Sequence, residues 1–242
     1  MLTMEKLLDA QKVLGQVARK TDLIHARKLN VGNKDIYLKT ENLQLTGSFK
    51  LRGAYYKISR LTETERKKGI IACSAGNHAQ GVALAAQKNG IPCVICMPSG
   101  APISKVEATK SYGAEVCLVQ GTYDDAQSKA ECMQAEKGYT FIHPFNDEDV
   151  IAGQGTIGLE LAEQLPDADV VLVPVGGGGL ISGVAFAIKN KMPHCKVYGV
   201  QAANAASMYN SLQQQQPVKL ASVDTFADGI AVKKPGNLTY EL

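Results

Sequence analysis

The sequence predicts an α/β protein built on parallel β-sheets. Along the 242 residues, short runs of β-branched residues alternate with longer stretches that have helical periodicity. Strands that alternate with helices of about 10–15 residues are typical of βαβ crossovers, which join parallel strands. Turn signals such as Asn89-Gly90 and Pro98-Ser99-Gly100 fall between these runs. No linker rich in Pro, Gly or Ser divides the chain, so we expect two α/β lobes with a ligand cleft between them.

The individual elements follow from this alternation in chain order. A helix with a threonine cap is predicted over residues 3–19, and a further helix opens at Ser48. The other predicted helices cover residues 77–88, 104–111, 123–137, 151–164 and 181–189. The predicted strands cover residues 36–39, 70–73, 92–96, 115–119, 170–173 and 196–200. We expect these strands to pair in parallel.

Composition and charge exclude several classes of function. Hydrophobic residues make up 45% of the chain and charged residues 20%, which is ordinary for a globular protein with a sizeable core. The net charge of +3 comes without a basic block, so we expect neither nucleic acid nor an anionic membrane as a partner. No apolar run approaches the roughly 18 residues of a membrane span, and the N-terminus lacks the apolar core of a secretory signal. We expect a cytoplasmic protein.

The six cysteines do not predict a disulfide framework. Free thiols are the expected state in a chain of this length without a secretory signal. Cys93 and Cys96 have the spacing of a redox or zinc pair. They lie in a predicted strand, however, where an offset of three places their side chains on opposite faces. We therefore predict buried strand thiols and no metal site.

Four consecutive glycines, Gly176 to Gly179, connect a predicted buried strand to a predicted helix. Such a turn points backbone N–H groups at one spot, and the positive end of the helix adds to the attraction for a phosphate. The G-x-G-x-x-G fingerprint of dinucleotide-binding folds fails, because Ile181 or Ser182 stands where its last glycine belongs. Gln201 replaces the acidic residue expected about 20 residues later. A plain tight turn is the alternative interpretation.

A second strand–turn–helix unit contains Ser74, Ala75, Gly76, Asn77 and His78. Ser74 is a candidate helix cap, and the free N–H groups of the turn can receive a carboxylate. Asn77 either satisfies the backbone of its own turn or hydrogen-bonds the ring oxygen of a cofactor. His78 has no partner visible in the sequence, and we assign it no acid–base role.

Lys50 supplies an amine to these two anion-binding turns. It follows Ser48 and Phe49 at the start of a predicted helix. A helix N-terminus and partial burial both lower the pKa of an amine, which makes it a better nucleophile and base. One amine combined with two anion-binding turns is what a covalently held phosphate cofactor requires. We therefore predict a pyridoxal-phosphate enzyme.

Five ordered segments resemble the fold type II pyridoxal-phosphate enzymes, and among them the threonine ammonia-lyases. The segments are residues 39–54, 72–83, 150–160, 174–183 and 227–232, and the closing run 234–241 is most similar to the degradative type. The resemblance implies a two-lobed fold similar to the tryptophan synthase β subunit, with parallel-sheet lobes and a cofactor cleft between them. It implies a larger lobe of residues 1–52 and 146–242 and a smaller lobe of residues 53–145.

The resemblance also implies roles for single residues. Lys50 would hold the cofactor covalently and, once freed, remove the Cα proton of the substrate. Phe49 would lie against the cofactor ring, and Asn77 would hydrogen-bond its phenolic oxygen. The implied phosphate-binding residues are Gly176, Gly177, Gly178, Gly179 and Leu180, and the implied carboxylate-binding residues are Ser74, Ala75, Gly76, Asn77 and His78. The implied reaction converts L-threonine, and also L-serine, into a 2-oxo acid and ammonia.

Two alternatives stay open at this point. In a serine racemase of the same family, a serine stands at the position of Ala75, and carboxylates for a divalent cation stand at those of Gln201 and Ser207, so this chain favours elimination. The other alternative is an inactive remnant that binds a ligand. It arises because the resemblance places the group that faces the pyridine nitrogen beyond Leu242, so we expect a truncated chain. The resemblance further implies a homodimer or homotetramer and a nucleotide effector.

Overall fold

The structure, a computed structural model, describes all 242 residues and contains three separate sheets and ten α-helices. The strands are β1 (Leu23–His25), β2 (Tyr37–Lys39), β3 (Ile70–Cys73), β4 (Cys93–Pro98), β5 (Glu115–Val119), β6 (Thr140–Phe141), β7 (Val170–Pro174) and β8 (Lys196–Val200). The helices are α1 (Met4–Leu14), α2 (Lys50–Ser59), α3 (Glu63–Lys68), α4 (Asn77–Asn89), α5 (Ile103–Ser111), α6 (Tyr123–Lys137), α7 (Glu148–Gln164), α8 (Gly179–Lys191), α9 (Ser207–Gln213) and α10 (Asn237–Glu241). None of these helices has the length and apolar character that crossing a membrane requires.

Strands β3 to β6 form one parallel sheet in the order β5-β4-β3-β6. One face packs against α2, α4 and α5 in an apolar cluster of 18 buried residues that includes Ile95. The other face packs against α6. Cys93 belongs to the first cluster and Cys96 to the second, which confirms that their side chains point to opposite faces. Coverage of both faces is the usual condition of a parallel sheet.

Strands β7 and β8 form a separate parallel pair with one covered face. Val173 lies on the covered face and packs against α8. On the other face, Leu172 is 65% exposed and Tyr198, its partner in the register, is 51% exposed. This pair therefore presents an apolar surface to solvent within these 242 residues.

Strands β1 and β2 pair in the antiparallel direction, with Leu23 opposite Lys39. The prediction of parallel pairing is confirmed for β3, β4, β5, β7 and β8 and wrong for β2. The reason lies in the connection, because residues 26–36 contain no crossover helix of the length that a parallel return requires. The sequence does not predict β1 and β6, since runs of three and two residues give too short a pattern.

Helix α7 begins earlier than the predicted residue 151, at Glu148. The cause is a polar cap: Oδ1 of Asp147 accepts the N–H groups of Asp149 and Val150 at 2.9 and 3.1 Å. Helix α1 ends at Leu14, before the predicted residue 19. The two ends differ from the prediction by three and five residues, more than the one or two residues by which helix ends ordinarily vary, and Gly15 is the C-cap residue of α1.

A buried charge cluster ties α2 to α7. The guanidinium of Arg52, which is 1% exposed, donates to Glu160 at 2.6 Å and to Glu41 at 2.8 Å. Lys39 forms a further ion pair with Glu160 at 2.6 Å. Two cations thus face two carboxylates, so the buried charges compensate one another. The cluster fixes the orientation of α2, whose first residue is Lys50.

The four-stranded sheet lies inside residues 53–145, and β1, β2, β7 and β8 lie outside that range. We keep the division into a larger lobe of residues 1–52 and 146–242 and a smaller lobe of residues 53–145 as a proposal. Both crossings are themselves structured, because Arg52 is buried inside α2 and Phe145 packs against Gly177 and Gly179.

Candidate cofactor and active site

Lys50 is the first residue of α2, and its side chain is half-buried. Its Nζ atom donates a hydrogen bond to the carbonyl oxygen of Pro144 at 2.9 Å and lies 5.3 Å from the centre of the Phe49 ring. Burial disfavours the charged form of the amine and lowers its pKa to about 8. A fraction of the amine is therefore neutral near neutral pH, as a nucleophile or base must be.

The glycine loop leaves a row of backbone donors without acceptors. The N–H of Val175 donates to the carbonyl of Val200, and the N–H of Ser182 donates to the carbonyl of Gly178. Between them, the N–H groups of residues 176–178 donate to no protein acceptor. The N–H groups in the first turn of α8, which follows directly, have no partner within the helix either. The loop thus combines consecutive N–H dipoles with the positive end of a helix of 13 residues.

Close contacts on both sides of the loop require glycine there. A Cβ atom on Gly178 would lie 2.7 Å from Thr239, and one on Gly179 would lie 2.8 Å from Phe145. Gly177 faces the ring of Phe145 in the same way. Gly178 also has a φ of 99°, a conformation that side chains disfavour. The loop is therefore held between Phe145 on one side and α10 on the other.

The turn between β3 and α4 is built differently. The prediction that Ser74 caps α4 is wrong, because the N-cap residue is Gly76 and Oγ of Ser74 instead accepts the Gly76 N–H at 3.1 Å. The hydroxyl reaches the N–H two residues ahead, as serine side chains do in turns. The N–H of Ala75 donates to no acceptor, and the side chain of Asn77 is exposed. These groups are available to a carboxylate or a cofactor oxygen.

His78 is buried in the first turn of α4, with 3% of its surface exposed. Its Nε2 atom lies 2.8 Å from the carbonyl oxygen of Ile142, which can only accept, so Nε2 carries the proton. The other ring nitrogen, Nδ1, has no partner. Burial, reinforced by the charge of Lys50, lowers the pKa of His78 to about 3. The imidazole is therefore neutral over the ordinary pH range.

The segment between β6 and α7 connects the three parts of the site. The carbonyl of Ile142 accepts a hydrogen bond from Nε2 of His78, and the carbonyl of Pro144 accepts one from Nζ of Lys50. Phe145 lies against the glycine loop. No periodicity or motif in the sequence predicts this role, since the contacts join positions distant in the chain. The one available signal is the run from His143 to Phe145 directly before a capped helix.

His143 braces this connecting segment. Its Nδ1 atom accepts the N–H of Phe145 at 3.2 Å and the N–H of Asn146 at 2.8 Å, so the ring proton is on Nε2. Burial and the charge of Lys50 lower the pKa of His143 to about 4. The neutral ring thus fixes the turn that presents the carbonyl of Pro144 to Lys50.

Comparison with known proteins assigns the family. A family model described as pyridoxal-phosphate dependent enzyme matches residues 14–242. The chain belongs to this family. The L-threonine ammonia-lyase of Thermotoga maritima is 56% identical over 243 residues, which cover 100% of this chain and 61% of that protein. The chain therefore spans about three fifths of the length of this curated relative.

Solved structures agree with the family assignment. The processed form of threonine deaminase isoform 2 from Solanum lycopersicum is 45% identical with a TM-score of 0.93, covering 98% of this chain and 66% of that one. Maize serine racemase is 35% identical with a TM-score of 0.95, covering 99% of this chain and 73% of that one. The predicted α/β fold of the fold type II pyridoxal-phosphate enzymes is confirmed.

The residues of this chain fit the cofactor of its family. A phosphate needs several donors that no protein group satisfies, and residues 176–178 supply them. An aldehyde needs an amine that is partly neutral, and burial gives Lys50 that property. Phe145 connects Lys50 to the glycine loop. It follows Pro144, whose carbonyl accepts a hydrogen bond from Lys50, and its own side chain contacts the loop. The glycine loop and Lys50 would therefore hold the two ends of pyridoxal phosphate.

Proposed function

We propose that this chain carries the active site of an L-threonine ammonia-lyase. The enzyme would convert L-threonine into 2-oxobutyrate and ammonia, and L-serine into pyruvate and ammonia. One observation carries the proposal: the amine of Lys50 and the glycine loop with its unpaired donors both contact the segment from Pro144 to Phe145. The identity of 56% to a protein named for this activity supports the choice of substrate.

The side chains of the site have distinct tasks in this proposal. Pyridoxal phosphate, when bound, supplies a conjugated ring that draws electron density from the carbon bearing the amino group. The Nζ atom of Lys50 removes the proton from that carbon, which its lowered pKa permits near neutral pH. The carbonyl of Pro144 orients Nζ. The free N–H of Ala75 would bind the substrate carboxylate, and the exposed side chain of Asn77 would hydrogen-bond the ring oxygen of the cofactor.

Residue 75 supports elimination over racemisation. A racemase needs a second proton carrier on the face opposite the lysine, and the methyl group of Ala75 cannot carry a proton. The fold itself does not discriminate, because maize serine racemase matches this chain with a TM-score of 0.95. Serine racemase is accordingly an outcome that the experiment must separate from elimination.

The first experiment tests Lys50 directly. Purified protein with pyridoxal phosphate should develop a visible absorbance band and form 2-oxobutyrate from L-threonine. Lys50→Ala should abolish both, because Nζ of Lys50 is the amine that donates to the carbonyl of Pro144 next to the glycine loop, and the variant removes it. Lys88→Ala is the matched control, since Lys88 is an exposed lysine on α4 and should keep band and activity. An unchanged band and undiminished product in Lys50→Ala would refute the proposal.

The products distinguish the alternatives. Chiral chromatography of the reaction with L-serine should show pyruvate and little D-serine, and substantial D-serine would favour the racemase. A saturable shift of the visible band by L-threonine without any product would favour the inactive ligand-binding remnant. Each result identifies one of the three candidates.

Assembly and control are proposed from the resemblance to the degradative type. We propose a cytoplasmic homodimer or homotetramer with a nucleotide effector, acting in threonine breakdown or in the supply of 2-oxobutyrate for isoleucine synthesis. Light scattering after size exclusion measures the assembly. The reaction rate at sub-saturating L-threonine, measured at increasing nucleotide concentrations, tests the effector. A rate that stays constant at all nucleotide concentrations would contradict it.

A further inference from the structure

The glycine loop is held in place through two of its carbonyl groups. The carbonyl oxygen of Val175 accepts a hydrogen bond from Nε2 of Gln201 at 3.2 Å. The carbonyl oxygen of Gly177 accepts one from Oγ1 of Thr239 at 2.5 Å and one from the N–H of Gly236 at 3.2 Å. These donors come from the end of β8 and from α10, far from the loop in the chain. The anchored carbonyls thus belong to alternate peptide groups of the loop.

A trans peptide group carries its C=O and N–H in opposite directions. An anchor on the carbonyl of Val175 therefore turns the N–H of Gly176 to the opposite side. The anchor on the carbonyl of Gly177 turns the N–H of Gly178 in the same manner. Both of these N–H groups are free of protein acceptors. The anchors thus separate the acceptors of the loop from its donors, which is what an anion requires.

Four consecutive glycines need such anchors more than other sequences do. Glycine has the largest backbone freedom of any residue, so an unanchored loop would sample many orientations of its peptide groups. Binding an anion would then include the entropy cost of ordering them. Anchors from outside the loop remove that freedom before the anion arrives.

Both anchoring side chains have a defined orientation. Thr239 is 4% exposed, and its hydroxyl lies nearer to the carbonyl of Gly177 than to that of Gly236, at 2.5 against 3.2 Å. Oε1 of Gln201 accepts the N–H of Tyr209 at 2.8 Å, while Nε2 faces carbonyl oxygens. A flipped amide would place an oxygen against those carbonyls, so the assignment of the donor is fixed.

We propose that Gln201 and Thr239 are positioning residues that pre-orient the glycine loop for a phosphate ester. The inference rests on the proposed function, because that function assigns the loop to the phosphate of the cofactor. It adds two side chains that touch neither the phosphate nor the reacting atoms. Their effect reaches the anion only through the peptide groups they anchor.

The test uses variants that remove one donor and keep the shape. Thr239→Val removes the hydroxyl, Thr239→Ser retains it, and Gln201→Met removes the amide. Thr109→Val and Gln127→Met are matched controls, since Thr109 donates to a backbone carbonyl at 2.8 Å and Gln127 donates to Glu131 at 2.8 Å, on α5 and α6 rather than on the elements that hold the loop. Calorimetry measures the Kd of inorganic phosphate and of pyridoxal phosphate, and absorbance measures that of pyridoxal, which has no phosphate.

Thr239→Val and Gln201→Met should each weaken the binding of inorganic phosphate and pyridoxal phosphate by about fivefold or more, since one lost hydrogen bond of about 1 kcal/mol corresponds to that factor. Pyridoxal affinity should stay constant, Thr239→Ser should restore wild-type affinity, and the two controls should bind as wild type does. Equal phosphate affinity in all variants, or an equal loss in the controls, would overturn the inference. A wild-type protein that binds no phosphate would overturn it too.

The two proposals can fail separately. If Lys50→Ala abolishes the visible band but the anchor variants bind phosphate normally, the function stands and the anchoring role falls. If the wild type produces no 2-oxobutyrate but the anchor variants lose phosphate affinity, the anchoring role stands and the activity falls. Circular dichroism and thermal melting exclude unfolding as the cause of a lost affinity.

Discussion

The chain contains two strand–turn–helix units that resemble each other in sequence and differ in how they are held. In both β3–α4 and β7–α8 a strand ends in a small-residue turn, and a helix of 13 residues starts there. The side-chain hydrogen bond that stabilises the first turn is local, because Oγ of Ser74 accepts the N–H of Gly76. The second is fixed from outside, by Gln201 and Thr239. Local chemistry thus decides one turn and tertiary contacts decide the other.

The strands that precede the two turns also differ, in how far their residues are buried. All residues of β3 are buried, since the sheet is covered on both faces. Strand β7 has exposed residues on one face, where Leu172 is 65% exposed. The first unit is therefore rigid at its base. The second depends on α8, α10 and the end of β8 for its geometry.

The largest effect that we expect is a difference in stability between a variant in the four-stranded sheet and a variant in the β7–β8 pair. Ile95 in β4 is fully buried, so Ile95→Ala should lower the free energy of unfolding by about 2–5 kcal/mol through lost burial and a cavity. Leu172→Ala in β7 should change it by less than about 1 kcal/mol, because that side chain already meets water. Urea unfolding followed by circular dichroism measures both. Equal losses in the two variants would show that the exposed face of β7 is covered in solution.

The next largest effect that we expect is a difference in stability between glycine variants of the two turns. Gly178 has a φ of 99° and close contact with Thr239, so Gly178→Ala should cost about 2 kcal/mol or more of stability. A Cβ atom on Gly76 would meet nothing within 4 Å, and its φ of −140° is open to other residues, so Gly76→Ala should cost less than about 1 kcal/mol. Thermal melting of the two variants side by side provides the measurement. A larger loss for Gly76→Ala would reverse the comparison.

Much of this organisation is visible in the sequence, and the reason is that its signals are local. The glycine run and the strand before it predict a phosphate loop, and a short motif predicts a helix from Ser48, two residues before the observed start of α2 at Lys50. The run of β-branched residues predicts β3 and β4 because buried parallel strands have this composition. Ser74 is an exception, because the sequence predicts a cap of α4 and the structure instead has its hydroxyl accept the N–H of Gly76.

The remainder depends on contacts that have no local pattern. Lys50 donates to the backbone carbonyl of Pro144. Since every residue has a backbone carbonyl, this contact does not determine the residue type and cannot be predicted from it. Thr239 and Gln201 reach the glycine loop from separate elements, so neither spacing nor periodicity predicts them. Strand β6 has two residues and is defined only by its pairing with β3. Long-range contacts of this kind become visible when the chain is folded.

Acid should weaken the connection between the two units. Burial lowers the pKa of His143 to about 4, against an ordinary value of 6.5. Between pH 6.5 and 4 the unfolded chain binds a proton that the folded one refuses, so the free energy of unfolding falls as the pH falls, by up to about 1.4 kcal/mol per pH unit. His143→Asn should reduce this slope, because Oδ1 of an asparagine can accept the same N–H groups without titrating.

The control for the acid experiment is His194→Asn, since His194 is exposed. That variant should keep the wild-type slope in urea titrations between pH 4 and 6.5, the window set by the shifted pKa of His143. His78, whose pKa is lowered to about 3, contributes a slope of the same sign that persists in both variants. An identical slope in His143→Asn and wild type would mean that His143 is protonated in the folded protein.

The smallest effect concerns the turn that holds itself. Ser74→Ala removes the acceptor of the Gly76 N–H and should lower the free energy of unfolding by about 1 kcal/mol. Ser128→Ala on α6 is the control, because its exposed hydroxyl bonds to a backbone carbonyl at 3.0 Å and should cost less. Since the bond of Ser74 is local, phosphate affinity at the glycine loop should not change, whereas Thr239→Val should weaken it. A loss of phosphate affinity in Ser74→Ala would mean that the two turns are coupled, and the distinction between a locally held and an externally held turn would fail.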